Sequence, residues 1–185
     1  MRPRPAWVIP LLYACALGAA ADEYLSAKHK FDLIESGRLH AGSRVVLSPL
    51  ELNAYVEHEV PEGVSRPRIE LTGPGLVTGR AMVDFVKLRR AQGDPPGWLM
   101  TRLLQGEHPV SVSARIRSAA GQATVDVERV EISGIQIDGA TLDFLIRNIL
   151  LPLYPNAAVG RPFDLGYRIQ RLEVVRTAVT VHMGD

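Results

Sequence analysis

The residue types that carry most enzyme chemistry are present in this sequence, but they are scattered. His29, His40, His58, His108 and His182 are far apart, with only chance neighbours such as His58 and Glu59. Zinc patterns instead set their ligands three to five residues apart, so that imidazoles and thiolates converge from one turn or one helix face. No serine stands in a G-x-S-x-G elbow or an S-x-x-K pair, which are the arrangements that place a hydroxyl beside its activating base. Gly73-Pro74-Gly75 with Gly79 has the glycine content of a phosphate-binding loop, but it joins two alternating apolar segments rather than a strand and a helix, which is the signature of a hairpin turn. The sequence therefore offers no catalytic set, no metal site and no cofactor motif.

Charge is equally uninformative about a polyanionic partner. The 185 residues hold 21 Lys plus Arg and 20 Asp plus Glu, giving a net charge of +1, without the basic stripe that nucleic-acid binding needs. Lys87, Arg89 and Arg90, and Arg161, Arg168, Arg171 and Arg176, could meet anionic headgroups or simply solvate exposed faces. Aromatic residues make up only 6 % of the chain, which argues against the stacked platforms of sugar-binding domains.

The amino terminus carries a different kind of signal. Arg2 and Arg4 precede a charge-free stretch over 7–21, broken by Pro10 and ending in Ala19-Ala20-Ala21, the order of a secretory leader. Fifteen residues span roughly 22 Å as a helix, short of the roughly 30 Å hydrocarbon core, which favours a cleaved signal over an anchor. The expected organisation is a signal peptide over 1–21, cut after Ala21, and one domain over 22–185 in the periplasm or cell envelope. Cys15, the only cysteine, follows Leu12-Tyr13-Ala14 in a loose lipoprotein box, so acylation there is the alternative outcome. Cleavage after Ala21 instead leaves a chain with no cysteine, and with it no disulfide and no thiol chemistry.

The elements that would position any site can be read from periodicity. Helical spacing over 22–37 gives a first helix, followed by a short strand at 43–47. Ser48-Pro49-Leu50-Glu51 then carries a capping box, with Ser48 as cap and Glu51 reaching back to it, and the second helix ends before Pro61. Ile69 and Leu71, then Val77, Gly79, Ala81, Val83 and Phe85, alternate around Thr72-Gly73-Pro74-Gly75 as a hairpin. A Pro/Gly loop at 92–97 leads to a short amphipathic helix at 98–104. The second hairpin pairs Val110, Val112, Ala114 and Ile116 with Ala123, Val125 and Val127, and its phase slips at Glu128 and Arg129, the mark of a bulge. Leu142, Leu145, Ile146, Ile149, Leu150 and Leu153 fall on one helical stripe, and a last hairpin turns near Arg176. Helices and hairpins in this order predict an α+β domain with an antiparallel sheet.

Long one-sided strands beside apolar helices can do one thing without catalytic groups, which is to enclose an apolar chain. A ten-residue strand is roughly 33 Å long. At about 0.8 kcal/mol per buried methylene, an acyl chain of about fifteen carbons gains on the order of 12 kcal/mol gross. The same residues could equally close on one another as a dry core.

The segments Ser48-Pro49-Leu50-Glu51-Leu52-Asn53, the strand at 75–85 ending in Val83-Asp84-Phe85, the hairpin around Gly121, the segment 130–137, the helix at 142–153 and Pro162-Phe163-Asp164-Leu165-Gly166 together resemble the LmeA-like family of bacterial envelope phospholipid-binding proteins. That fold is similar to the tubular lipid-binding (TULIP) domains. The resemblance implies a long curved antiparallel sheet wrapped around amphipathic helices, with a lipid inside. It carries over no catalytic residue.

The expectation is thus a non-enzymatic, exported protein that binds, and in one version transfers, a phospholipid or other apolar lipid. The expected lining is Val77, Ala81, Val83, Val110, Val112, Ile116, Val125 and Val127 from strands, with Leu145, Ile146, Ile149 and Leu153 from the helix. Trp98, Leu99 and Leu103 form the expected lip for transient membrane contact, since Trp favours the bilayer interface. The competing readings are a dry envelope adaptor that meets a protein partner through a sheet edge, and a hydrolase working with carboxylates alone.

Overall fold

Period-two alternation in the two long hairpins is what builds the larger sheet. The computed structural model describes residues 9–91, 93, 97–98, 105–151 and 159–185, with side chains from Ala21 onward apart from that of Ile149. β2 (Val64–Gly73) and β3 (Leu76–Val83) form the first hairpin, and β4 (His108–Ala119) and β5 (Gln122–Ile132) the second. The sheet runs in the order β2-β3-β4-β5-β6, with β6 at Ile135–Ile137, and the short β7 (Phe163–Asp164) also pairs with β5. Every strand pair is antiparallel.

Register decides which side chains meet. Ile69, Gly79, Val112, Val130 and Ile137 lie in one row across the sheet, and Ala81, Val110, Ile132 and Ile135 in the next row on the same face. Arg68, Arg80, Ser111, Glu131 and Gln136 form a row on the other face. The facing arginines are neutralised from the sides, Arg68 by Glu57 (3.0 Å) and Arg80 by Glu70 (2.6 Å). The sheet is thus apolar on one face and ion-paired on the other. Where β4 passes from Ser113 to Ala114, β5 passes from Arg129 to Val127, so Glu128 is the extra residue of a bulge at the position where the sequence changes phase.

A second, three-stranded sheet has the order β1-β9-β8, formed by β1 (Arg44–Leu47), β9 (Ala178–Met183) and β8 (Ile169–Val175). Helix α1 (Ile9–Glu35) closes it, with Ile34 packed among Val45, Val181 and Met183. α1 passes through the expected cleavage position after Ala21 and stops two residues short of the expected end at 37. Helix α2 (Pro49–Glu59) starts as its capping box dictates: Ser48 Oγ accepts from the Glu51 N–H (3.1 Å) and the Ser48 N–H donates to Glu51 Oε2 (2.8 Å). Asn53 on α2 then brackets the free edge of β2. Its Nδ2 donates to Ile69 O (2.9 Å) while its Oδ1 accepts from the Ile69 N–H (2.8 Å), so one amide occupies edge groups that another strand could otherwise pair.

The turn ends of both long hairpins dock on β8. The Gly75 N–H donates to Val174 O (2.9 Å), the Gly121 N–H to Gln170 O (2.8 Å), and Ser118 Oγ exchanges hydrogen bonds with the Leu172 backbone. Gly75 has φ +68°, and a Cβ there would stand 2.7 Å from Ile116 O, so only glycine allows this approach. With the turn ends fixed on the small sheet, the open ends of the strands face away from it.

Two elements differ from the alternation and stripe patterns. Phe85 continues the alternation of β3, but it opens helix α3 (Phe85–Ala91), because the Asp84 carboxylate accepts from the Val86 and Lys87 N–H groups at 3.1 and 3.0 Å and caps a helix there. The apolar stripe at 142–153 is not one α-helix either. It forms helix α4 (Gly139–Leu145) followed by a π-helical turn (Ile146–Leu150), in which the Leu151 N–H reaches back to Ile146 O. Arg147 and Asn148 side chains donate to the carbonyls of Asp143 and Phe144, taking up acceptors in the stretch where the ladder changes pitch. The domain is α+β with a mostly antiparallel sheet.

Candidate functional site

The apolar face of the large sheet is covered at its open end by α3, α4 and the π-turn, and the two layers do not close on each other. A cavity of about 270 Å³ lies between them, lined by Val83, Val110, Val112, Val127 and Val130 from below and by Phe85, Leu142, Leu145, Ile146 and Leu150 from above. A second, of about 450 Å³, shares Phe85, Ile132 and Leu145 with the first and extends to Ile135, Ile137, Thr141 and Phe144. The fully buried packing nearby is small, consisting of Val83, Phe85 and Leu88, with Val64, Ala81, Val110 and Ile132 against them. Val110, Val112, Val127, Leu142, Leu145 and Ile146 are only half-buried, so this apolar surface faces a gap rather than a partner.

Local sequence explains how the lid is aimed. Asp84, itself buried, fixes the start of α3, and its backbone N–H donates to Gly63 O (2.8 Å). Gly63 has φ +91°, and a Cβ on it would meet Leu88 N at 2.6 Å, so the chain entering β2 lies directly under α3. Leu142, Leu145, Ile146 and Leu150 keep a common side across the α-to-π change and face the sheet.

Of the expected lining, Val83, Val110, Val112, Val127, Leu145 and Ile146 line the inner cavity. Ala81 lies in the same face, packed against the Val83 cluster. Val77, Ile116 and Val125 share the face but lie toward the turn end docked on β8, away from both cavities. Leu153 and the side chain of Ile149 lie outside the described residues. Trp98 is 78 % exposed, and its expected companions Leu99 and Leu103 lie outside the described residues as well. The exposed apolar residues at the second cavity are instead Ile135 and Phe144, 66 % and 43 % exposed, which rim its opening.

One wall residue escaped the apolar reading. His108 opens β4 on the apolar face, opposite Val83 and two residues before Val110, and it lines the larger cavity together with Arg89 and Ser133. Its Nδ1 lies 3.3 Å from Ser133 Oγ, and its ring centroid is 6.0 Å from that of Phe85. The signal was available in the alternation, since position 108 is the next inward slot of the series 110, 112, 114 and 116.

Other recesses are more polar. One of about 400 Å³ is lined by Arg66, Arg80, Ser111 and Glu131, whose charges are engaged by Glu107, Glu70 and Arg129. Among the described residues, no three His, Cys, Asp or Glu side chains come together as metal ligands. Compared with known proteins, the chain matches no family model and no curated protein.

Proposed function

We propose that this protein binds an apolar lipid in the two adjacent cavities between the large sheet and the α3/α4 lid, and that it does so after export to the cell envelope. The observation that carries the reading is the continuity of buried and half-buried apolar side chains around a gap, with Phe85, Ile132 and Leu145 common to both chambers. A dry adaptor domain would bring these same side chains into contact. At about 30 Å³ per water-sized group, close to the bulk of a methylene, 270 Å³ takes roughly nine such groups. At about 0.8 kcal/mol each, that is roughly 7 kcal/mol gross before ordering costs.

The fold reading goes further under the same proposal: the sheet, its lid and the docked small sheet would be a TULIP-like variant, as the LmeA-like resemblance implies. Export rests on the basic and apolar order of the first 21 residues. A chain cut after Ala21 would begin with Asp22 and Glu23 in the first turn of the remaining helix, where acidic residues meet the positive end of the dipole. Among the described residues, no helix is long and apolar enough to cross a membrane. Contact with a bilayer would be transient and made by Ile135 and Phe144, the exposed apolar side chains at the rim of the second cavity, with the exposed Trp98 as a further interfacial side chain.

The test is native mass spectrometry of the protein purified from a bacterial envelope, with lipid extraction of the same sample and uptake of a fluorescent acyl lipid. Adducts of lipid mass and saturable uptake are expected. Neither adducts nor uptake would overturn the reading in favour of a dry domain.

A further inference from the structure

The two chambers beside the lid differ in what lines them. Among the described residues, the side chains around the inner one, of about 270 Å³, are all hydrocarbon, with Phe85 as the one ring. Polar side chains enter at the outer one, of about 450 Å³, where Ser133 and Thr141 stand in the wall and the exposed Ile135 and Phe144 rim the opening. Phe85, Ile132 and Leu145 belong to both walls, so a long ligand lying against these three side chains reaches into both chambers. Such a ligand has a direction. A polar group at the inner end would be desolvated with no side-chain partner, at a cost of about tenfold or more in affinity. At the rim the same group keeps its water. The polar end therefore lies outermost and the hydrocarbon end innermost.

Volume sets the number of chains. At about 30 Å³ per methylene-sized group, the chambers of 450 and 270 Å³ hold roughly fifteen and nine groups, roughly twenty-four between them. One hexadecanoyl chain needs about sixteen such places, whereas the two tails of a dihexadecanoyl phospholipid need about thirty-two before any head is counted. A second tail would have to stay outside the protein, and each methylene left in water weighs against binding by a factor of about four. Resting on the lipid-binding reading above, we propose that the ligand is a lipid with a single hydrocarbon chain. It enters tail first past Ile135 and Phe144, its terminal methyl end reaches the inner chamber between Val127 and Leu150, and its head stays at the rim. The chambers select for chain number and chain length, and the head, lying outside them, is selected far less.

Ligands with one head and different tails test this directly. Hexadecanoyl lysophosphatidylcholine and dihexadecanoyl phosphatidylcholine share head and chain and differ in chain number. Delivered in the same detergent to the full chain, the one-chain lipid should displace a fluorescent hexadecanoyl probe at least about tenfold more effectively than the two-chain lipid. Tail placement is read from two variants that add bulk to the inner chamber from opposite sides, Val127→Phe on the sheet and Leu150→Phe on the lid. Each should weaken hexadecanoyl lysophosphatidylcholine at least about tenfold and leave decanoyl lysophosphatidylcholine unchanged, because roughly ten groups fit the outer chamber alone. Unchanged decanoyl binding also reports that the variant is folded. Equal displacement by the one-chain and two-chain lipids, or a preference for the two-chain lipid, would overturn the inference while leaving the lipid reading in place. Undiminished hexadecanoyl binding in both variants would overturn the tail placement. Binding of neither lipid nor probe by the parent protein would overturn the lipid reading itself.

Discussion

Replacing Glu51 by Gln tests the junction that holds α1, α2 and β1 together. The Glu51 carboxylate is buried and accepts from Lys30 Nζ (2.5 Å), Ser26 Oγ (2.6 Å) and the Ser48 N–H (2.8 Å), while Lys30 Nζ also reaches Val46 O at 2.7 Å. Burial pushes this carboxyl upward, but the hydrogen bonds from Lys30, Ser26 and Ser48 and the Lys30 charge outweigh it and hold the carboxyl at about 2, against 4.5 when free. At about 1.4 kcal/mol per unit, the depression corresponds to roughly 3 kcal/mol of folding free energy in the ionised state. The sign follows from which state binds the proton more readily. The unfolded chain takes up a proton near pH 4.5 and the folded chain only near pH 2, so the contribution is complete above 4.5 and is lost as the pH falls through 2. Glu51→Gln should therefore cost roughly 3 kcal/mol at neutral pH, measured by urea denaturation, with the gap from the parent protein closing between pH 4.5 and 2. Parallel stability curves for the two proteins across that window would refute the argument, since the carboxylate would then contribute nothing that depends on its charge.

Three further outcomes follow from named contacts. Asn53→Ala removes both bonds to Ile69 and should cost about 1–3 kcal/mol in thermal or urea unfolding, and the freed β2 edge should raise concentration-dependent light scattering. Gly63→Ala places a Cβ 2.6 Å from Leu88 N at φ +91°, so a loss of about 2 kcal/mol or more and weakened lid packing are expected, and unchanged stability would show that α3 shifts freely. Val112→Phe fills the inner cavity and should reduce uptake of a fluorescent acyl lipid at least about tenfold, with unfolding free energy within about 1.5 kcal/mol of the parent. Undiminished uptake would place the ligand elsewhere.

Much of the local architecture is legible from the sequence because its determinants lie a few residues apart. The Ser48 and Glu51 capping box closes over three residues, the turn at Gly73-Pro74-Gly75 is set by a backbone conformation that only glycine takes easily, and the Glu128 bulge shows as a slip in a period of two. Where two local signals compete, reading stops. Phe85 satisfies the strand period, but capping by Asp84 turns the chain into a helix, and the stripe from Leu142 onward fits α and π pitches alike over so short a span because residue spacing does not encode hydrogen-bond ring size.

The candidate site divides along the same line. Sequence periodicity by itself determined which face of each long strand is apolar, and so named Val83, Val110, Val112 and Val127 as residues of one surface. Tertiary structure alone decided that Val77, Ile116 and Val125 fall at the end docked on β8 while the cavities open at the other. It also decided that His108, Arg89 and Ser133 share one wall and that Asn53 reaches Ile69. The physical reason is distance along the chain: alternation fixes a face within a strand, but which end is covered, and which polar groups meet there, depends on pairing between segments tens of residues apart, set only when the sheets dock.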